Sequence, residues 1–158
     1  MIWSFAPHDI SMILSIIGKE PEIVRTESSS ILQCGIADTA IVHMEFESAL
    51  KAHVSVSWLH PYKEQKLVVV GDDAMAVFDD TKPWNEKLGV YRHSINSNGG
   101  LPSLEKSEVE YLEVTQSEPL RNECLHFLDV VSRNIVPLTN GVEGLRVLNV
   151  LELASKSG

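Results

Sequence analysis

The chain has 158 residues, 44% hydrophobic and 22% charged, with 22 acidic against 13 basic side chains and a formal net charge of −9. That length suits one domain with a single core, in which folding removes roughly 68–70% of the extended chain's surface, and the composition is globular, not disordered. The acidic balance, with no Lys/Arg cluster longer than a pair, argues against nucleic acid as a partner, because phosphate binding needs a basic patch to release counterions.

No stretch approaches the roughly 20 apolar residues of a membrane helix. The N-terminus lacks a charged segment followed by an apolar run and a small-residue cleavage site. The expectation is therefore a soluble, cytoplasmic chain with no membrane partner. Cys34 and Cys124 are far apart in sequence and have apolar neighbours. They read as buried free thiols of a reducing compartment, not as a disulfide framework or metal knuckle.

In chain order, residues 7–17 read as a helix, with Ile10, Ile13, Leu14 and Ile17 on one stripe. Pro7 suits the first turn and Gly18 the stop. Strand patterns follow. Residues 22–32 alternate loosely. Residues 39–46 place Ile41, His43 and Glu45 on one face and Val42, Met44 and Phe46 on the other. Residues 50–59 group Ala52, Val54, Val56 and Trp58. The short connection at 47–49 makes these last two an antiparallel hairpin. Residues 65–70 and 74–79, joined at Gly71-Asp72-Asp73, form a second hairpin. Residues 88–92 and 109–114 are shorter strands, and the polar, Gly-rich segment 94–103 between them is a loop.

Two helices close the chain. One carries the stripe Leu120, Cys124, Phe127, Leu128 and Val131, from Glu118-Pro119 to near Asn134. The other carries Val142, Leu145, Leu148 and Leu151, set off by Pro137 and Asn140-Gly141. A helix, a run of strands and two helices predict an α+β fold: an open, mostly antiparallel sheet with helices on one face. The expected organisation is one domain over residues 1–158.

His8 stands where the first helix begins, at an edge of the core. An imidazole there can move protons, whereas the plainer alternative is an exposed or capping residue. Asp9 complements the helix dipole. SWLHPYKEQK, residues 57–66, sets Trp58, His60, Tyr62 and Lys63 at a strand end. These groups suit a polar ligand such as a sugar or nucleotide, or else a plain loop with a buried Trp. His43 and His53 flank the first hairpin and can approach across it, but without an obvious third ligand they make a weak zinc site. Arg121, Asn122, Glu123 and His126 form a polar strip on a solvated or interface side. No GxGxxG turn and no βαβ alternation occur, so no dinucleotide cradle is evident.

Four stretches taken together, WSFAPHDISMIL, SWLHPYKEQKLVVVGDDAMAVFDD, EPLRNECLHFLD and PLTNGVEGLRVLNVLE, resemble the C-terminal part of the glucose–fructose oxidoreductase/inositol dehydrogenase (Gfo/Idh/MocA) family. Within it they look most like the dehydrogenases that oxidise UDP-N-acetylglucosamine, or its uronic acid, at C3. The resemblance implies the substrate-binding and oligomerisation half of an NAD(P)-dependent sugar-nucleotide dehydrogenase, inactive alone. The NAD(P) would sit on an N-terminal Rossmann domain not contained in these residues, which leaves this chain with no cofactor of its own. In the family pattern Asp-x-Gly-x-His, His8 matches the histidine that assists proton transfer, while Ser4 stands at the Asp position and Ala6 at the Gly position. The implied catalytic residue is His8, and Ser4, Trp58, His60 and Lys63 are the implied substrate contacts, with no metal ligand. Implied partners are a sugar nucleotide, a second copy through the sheet face (dimer or tetramer), and a Rossmann-domain chain in trans. The alternative is a non-catalytic binding or scaffolding module that pairs with a full-length relative.

Overall fold

Helix α2 (Pro7–Ile17) forms where the apolar stripe demands it, with Pro7 in its first turn. It stops at Gly18, whose φ of 73° lets its N–H reach the Leu14 carbonyl at 2.8 Å. These features come from a computed structural model that describes residues 1–96 and 103–158. A short helix, α1 (Ile2–Phe5), precedes α2 and was not expected. Ala6 between them keeps a right-handed helical conformation, so the path from Ile2 to Ile17 is nearly continuous.

The described chain divides into two compact units, Met1–Pro61 with Leu125–Gly158, and Tyr62–Cys124. In the first, β1 (Ile23–Ser29), β2 (Thr39–Glu45) and β3 (Lys51–Ser57) form an antiparallel sheet in the order β1-β2-β3. The inner residues of β2 and β3 (Ala40, Val42, Met44, Val54 and Val56) pack with Ile10, Ile13 and Leu14 of α2 in one buried core. Helix α4 (Gly141–Ser157) adds Val150, Leu151 and Ala154 to it. Asn140 caps α4: its Oδ1 accepts from Val142 N–H at 2.9 Å and Glu143 N–H at 3.2 Å.

The second unit holds β4 (Lys66–Val70), β5 (Ala74–Asp79), β6 (Leu88–Asn96), β7 (Ser103–Lys106) and β8 (Glu110–Leu112). They form a five-stranded antiparallel sheet in the order β4-β5-β6-β7, with β8 also on β6. Every fully buried apolar side chain among the described residues belongs to the first unit. In the second, the buried Lys87 donates to the Asp80 carboxylate at 2.5 Å and carbonyl at 2.9 Å, and lies 4.5 Å from the Trp84 ring centre.

The α+β class, the antiparallel sheets and the segregated helices match expectation, with the strands shared between two sheets. Four details are corrected. The loop expected at 94–103 lies outside the described residues for 97–102, and its two ends belong to β6 and β7. Helix α3 (Pro119–Arg133) forms, yet Leu120, Phe127, Leu128 and Val131 of its stripe are exposed. On α4 only Leu151 of the expected stripe is buried, because the packed face is the neighbouring one, Val147, Val150, Leu151 and Ala154. Cys34 and Cys124 are exposed: Cys34 sits in the β1–β2 connection and Cys124 on the uncovered face of α3. Among the described residues no helix is long and apolar enough to cross a membrane.

Candidate functional site

The near-continuous path through Ala6 places Ser4, Phe5 and His8 on one outward side, since residues three and four apart are surface neighbours on a helix. All three are exposed. The Trp3 indole N–H donates to Ser155 Oγ at 2.8 Å, which ties α1 to the last turns of α4. Below this side Ala6 and Ile10 are completely buried, so the surface residues rest on a rigid floor.

Trp58, just beyond β3, is not the buried tryptophan of a plain loop. It is 60% exposed, and its ring meets Phe5 edge to face, with centres 4.6 Å apart at 74°. Its placement is fixed from the backbone, where the Trp58 N–H donates to the Asp38 carbonyl at 2.8 Å. The structure thus joins Trp58 to the helix start that carries His8, through Phe5. Phe5 was missed in the sequence, although its position three residues before His8 was a usable signal once Ile2–Phe5 is read as helical.

Asp9, in the first turn of α2, is half-buried, and burial lifts its carboxyl above the usual carboxylate range while the neighbouring His8 pulls it partly back. His60 is exposed and lies in the same unit as Trp58. Lys63 is also exposed, but it belongs to the Tyr62–Cys124 unit. His126, half-buried on the polar strip of α3, also serves the backbone: its Nε2 accepts from Leu138 N–H at 3.0 Å.

A second feature lies within the β4–β8 sheet. A depression of about 320 Å³ is floored by Val68, Met75, Val77 and Gly89 and walled by Tyr91 and Tyr111. Lys66, Lys82, Asp79 and Glu86 stand around it. Gly89 leaves this floor tight: a Cβ there would stand 3.0 Å from the Val109 side chain, which would have to shift slightly, and in ordinary contact with both tyrosine rings at 3.5 Å.

The fit to a nicotinamide dinucleotide can be judged from these elements. A pyrophosphate is held at a Gly-rich turn between a parallel strand and a helix. Every strand pairing among the described residues is antiparallel, and no Gly-rich turn of that pattern occurs in the sequence. The residues present do not build that cradle. Nor do the described residues gather three or more His, Cys, Asp or Glu side chains for a metal.

Antiparallel sheets with helices segregated to the chain's two ends, and a helix start that opens on a short aromatic surface, describe an α+β domain. Residues 1–77 match the family model for the GFO/IDH/MocA C-terminal domain, and the chain carries that domain's fold. UDP-N-acetylglucosamine 3-dehydrogenase GnnA from Acidithiobacillus ferrooxidans is similar over 97% of this chain and 45% of its own, at TM-score 0.79 and 20% identity. A protein described as an oxidoreductase from Magnetospirillum magnetotacticum is 25% identical at TM-score 0.77, over 98% of this chain and 48% of its own. An NAD-binding protein from Listeria innocua is 17% identical at TM-score 0.70, over 99% of this chain and 44% of its own. The chain thus spans less than half the length of these relatives. No curated protein matches the sequence.

Proposed function

We propose that the chain is the substrate-binding and oligomerisation part of an NAD(P)-dependent dehydrogenase acting on a sugar nucleotide. The observation that carries this reading is the exposed Phe5–Trp58 pair one helical turn from His8. An edge-to-face aromatic corner offers a flat apolar surface to the C–H face of a pyranose or to a base. Ser4 and His8, on the same side, offer hydroxyl and imidazole groups to its hydroxyls. In this reading His8 accepts the proton of the sugar hydroxyl as that carbon becomes a ketone. The dinucleotide is held by residues other than those described, and no part of the reaction beyond binding and proton movement is assigned to this chain.

The test is calorimetric titration of the chain with UDP-N-acetylglucosamine, and separately with NAD. Saturable binding of the sugar nucleotide, weakened at least tenfold in Trp58→Ala, is the expected result, with no saturable micromolar binding of NAD. Equal binding by Trp58→Ala, or none by the native chain, overturns the reading.

The oligomerisation part rests on the β4–β8 sheet. Its concave face mixes exposed apolar surface (Val68 is 47% exposed and Tyr111 47%) with two lysines and two carboxylates. Copies that each carry −9 repel one another, so a self-pairing surface has to be apolar and locally balanced in charge, as this one is.

A further inference from the structure

The core face of β1–β3 is closed by α2 and α4. The opposite face carries His43 and His53, which are direct partners in the β2–β3 register. Their ring centres are 6.5 Å apart and tilted by 41°. Glu27 approaches from β1, one diagonal step away, with its Oε1 4.0 Å from His43 Nε2. We propose that the cross-strand pair His43 and His53 forms a two-imidazole site for a divalent d-block cation of the zinc–copper group, with Glu27 turning in as a further ligand only when the ion binds.

The geometry is close to what such an ion requires. Two imidazoles that share one ion at about 2.1 Å stand with ring centres roughly 5 to 6 Å apart, so a small side-chain rotation closes the observed 6.5 Å. Both histidines project from adjacent strands of a fully paired ladder, so binding orders only their side chains and not the backbone. Glu27 has an 80% exposed side chain and is free to turn toward the ion. Water completes the coordination, in keeping with the lack of any preassembled three-ligand cluster among the described residues.

The neighbouring charges leave room for the ion. Arg25 lies opposite His43 in the β1–β2 register, but its Nη1 donates to Glu45 Oε1 at 2.6 Å. Lys51 stands 4.0 Å from the same oxygen. Glu45 is thereby engaged by two cations, and Glu27 is the carboxylate directed at the histidines. Two imidazoles and one carboxylate suit Zn²⁺, and Cu²⁺ binds such a set more tightly still. The ion clamps β2 to β3 on the face away from the helices, so it stabilises the folded chain by linkage.

The experiment uses the full chain with Zn²⁺ in calorimetry and Cu²⁺ in electron paramagnetic resonance. Expected are one Zn²⁺ per chain at micromolar affinity, at least tenfold weaker binding in His43→Gln and in His53→Gln, and a few-fold loss in Glu27→Gln. His93→Gln, which leaves this face untouched, binds as the native chain does. Added Zn²⁺ raises the melting temperature of the native chain and not of the two histidine variants. Binding only at millimolar Zn²⁺, or unchanged binding in either histidine variant, overturns the proposal. The Cu²⁺ spectrum of the native chain decides even if a variant fails to fold: two imidazole nitrogens on the ion are expected, and none or one refutes the site.

Discussion

Asp38 holds Trp58 in place while holding its own loop. Its backbone carbonyl accepts from the Trp58 N–H at 2.8 Å, and its carboxylate Oδ2 accepts from Ile31 N–H at 2.6 Å and Leu32 N–H at 2.7 Å. The residue itself is only 6% exposed, so its end of these part-buried bonds is largely shielded from water. Charge-assisted bonds of this kind contribute roughly 1.5–3 kcal/mol. Asp38→Ala should cost about 2–3 kcal/mol in urea denaturation, and the amides of Ile31 and Leu32 should lose hydrogen-exchange protection. Unchanged protection at both amides would show that the carboxylate does not hold the loop.

The β2–β3 connection carries strain that glycine relieves. Ser48 and Ala49 both have positive φ, 62° and 61°, a region that Cβ-bearing residues disfavour. Ala49→Gly should stabilise the chain by about 0.5–1 kcal/mol, since the folded-state relief exceeds the added freedom of the unfolded chain. The midpoint of chemical denaturation measures it, and a lower midpoint refutes it.

Asp9 makes stability depend on pH in an unusual direction for a carboxylate. Burial raises its folded-state pKa, so between the ordinary carboxylate pKa and the raised value the folded chain binds more protons than the unfolded one. Its contribution therefore falls as pH rises through that window. Asp9→Asn removes the dependence. Relative to the native chain, the variant should gain stability between pH 3.5 and pH 7, and a gain that shrinks over that interval contradicts the assignment.

Leu148 and Leu151 lay on the same expected stripe of α4, yet only Leu151 is buried, at 1% exposure against 49% for Leu148. Leu151→Ala should cost about 2–5 kcal/mol and Leu148→Ala under about 0.5 kcal/mol. Equal effects in thermal or chemical unfolding would place α4 in a different rotation.

Much of this was readable in the residues. Residues 7–17 and 74–79 coincide with α2 and β5 because capping and hairpin signals bracket them. The faces of β2 follow period-two alternation, with Val42 and Met44 inside and His43 outside. The helical stripes of α3 and α4 were legible as patterns, but a pattern does not say what lies opposite it. Leu120, Phe127 and Leu128 are apolar at helical spacing and still exposed among the described residues. The site divides in the same way. His8 and Trp58 stood out as residue types, whereas the Phe5 contact that joins them depends on two segments more than fifty positions apart.

Self-association through the β4–β8 sheet has a direct test. Light scattering at tens of micromolar should report a dimer or tetramer for the native chain. A Val68→Glu, Tyr111→Glu double variant should shift it to a monomer, because buried acidic charge without a partner is costly at an interface. A strict native monomer at that concentration defeats this part of the reading.

The distribution of buried side chains also sets an expected order in which the chain comes apart. Val42, Met44, Ile10, Leu14 and Leu151 all lie in the unit that contains both ends of the polypeptide, so that unit should carry the larger share of the heat-capacity change of melting. The five-stranded sheet should therefore yield first as temperature climbs, leaving the three-stranded unit as a smaller folded remnant that limited digestion would isolate.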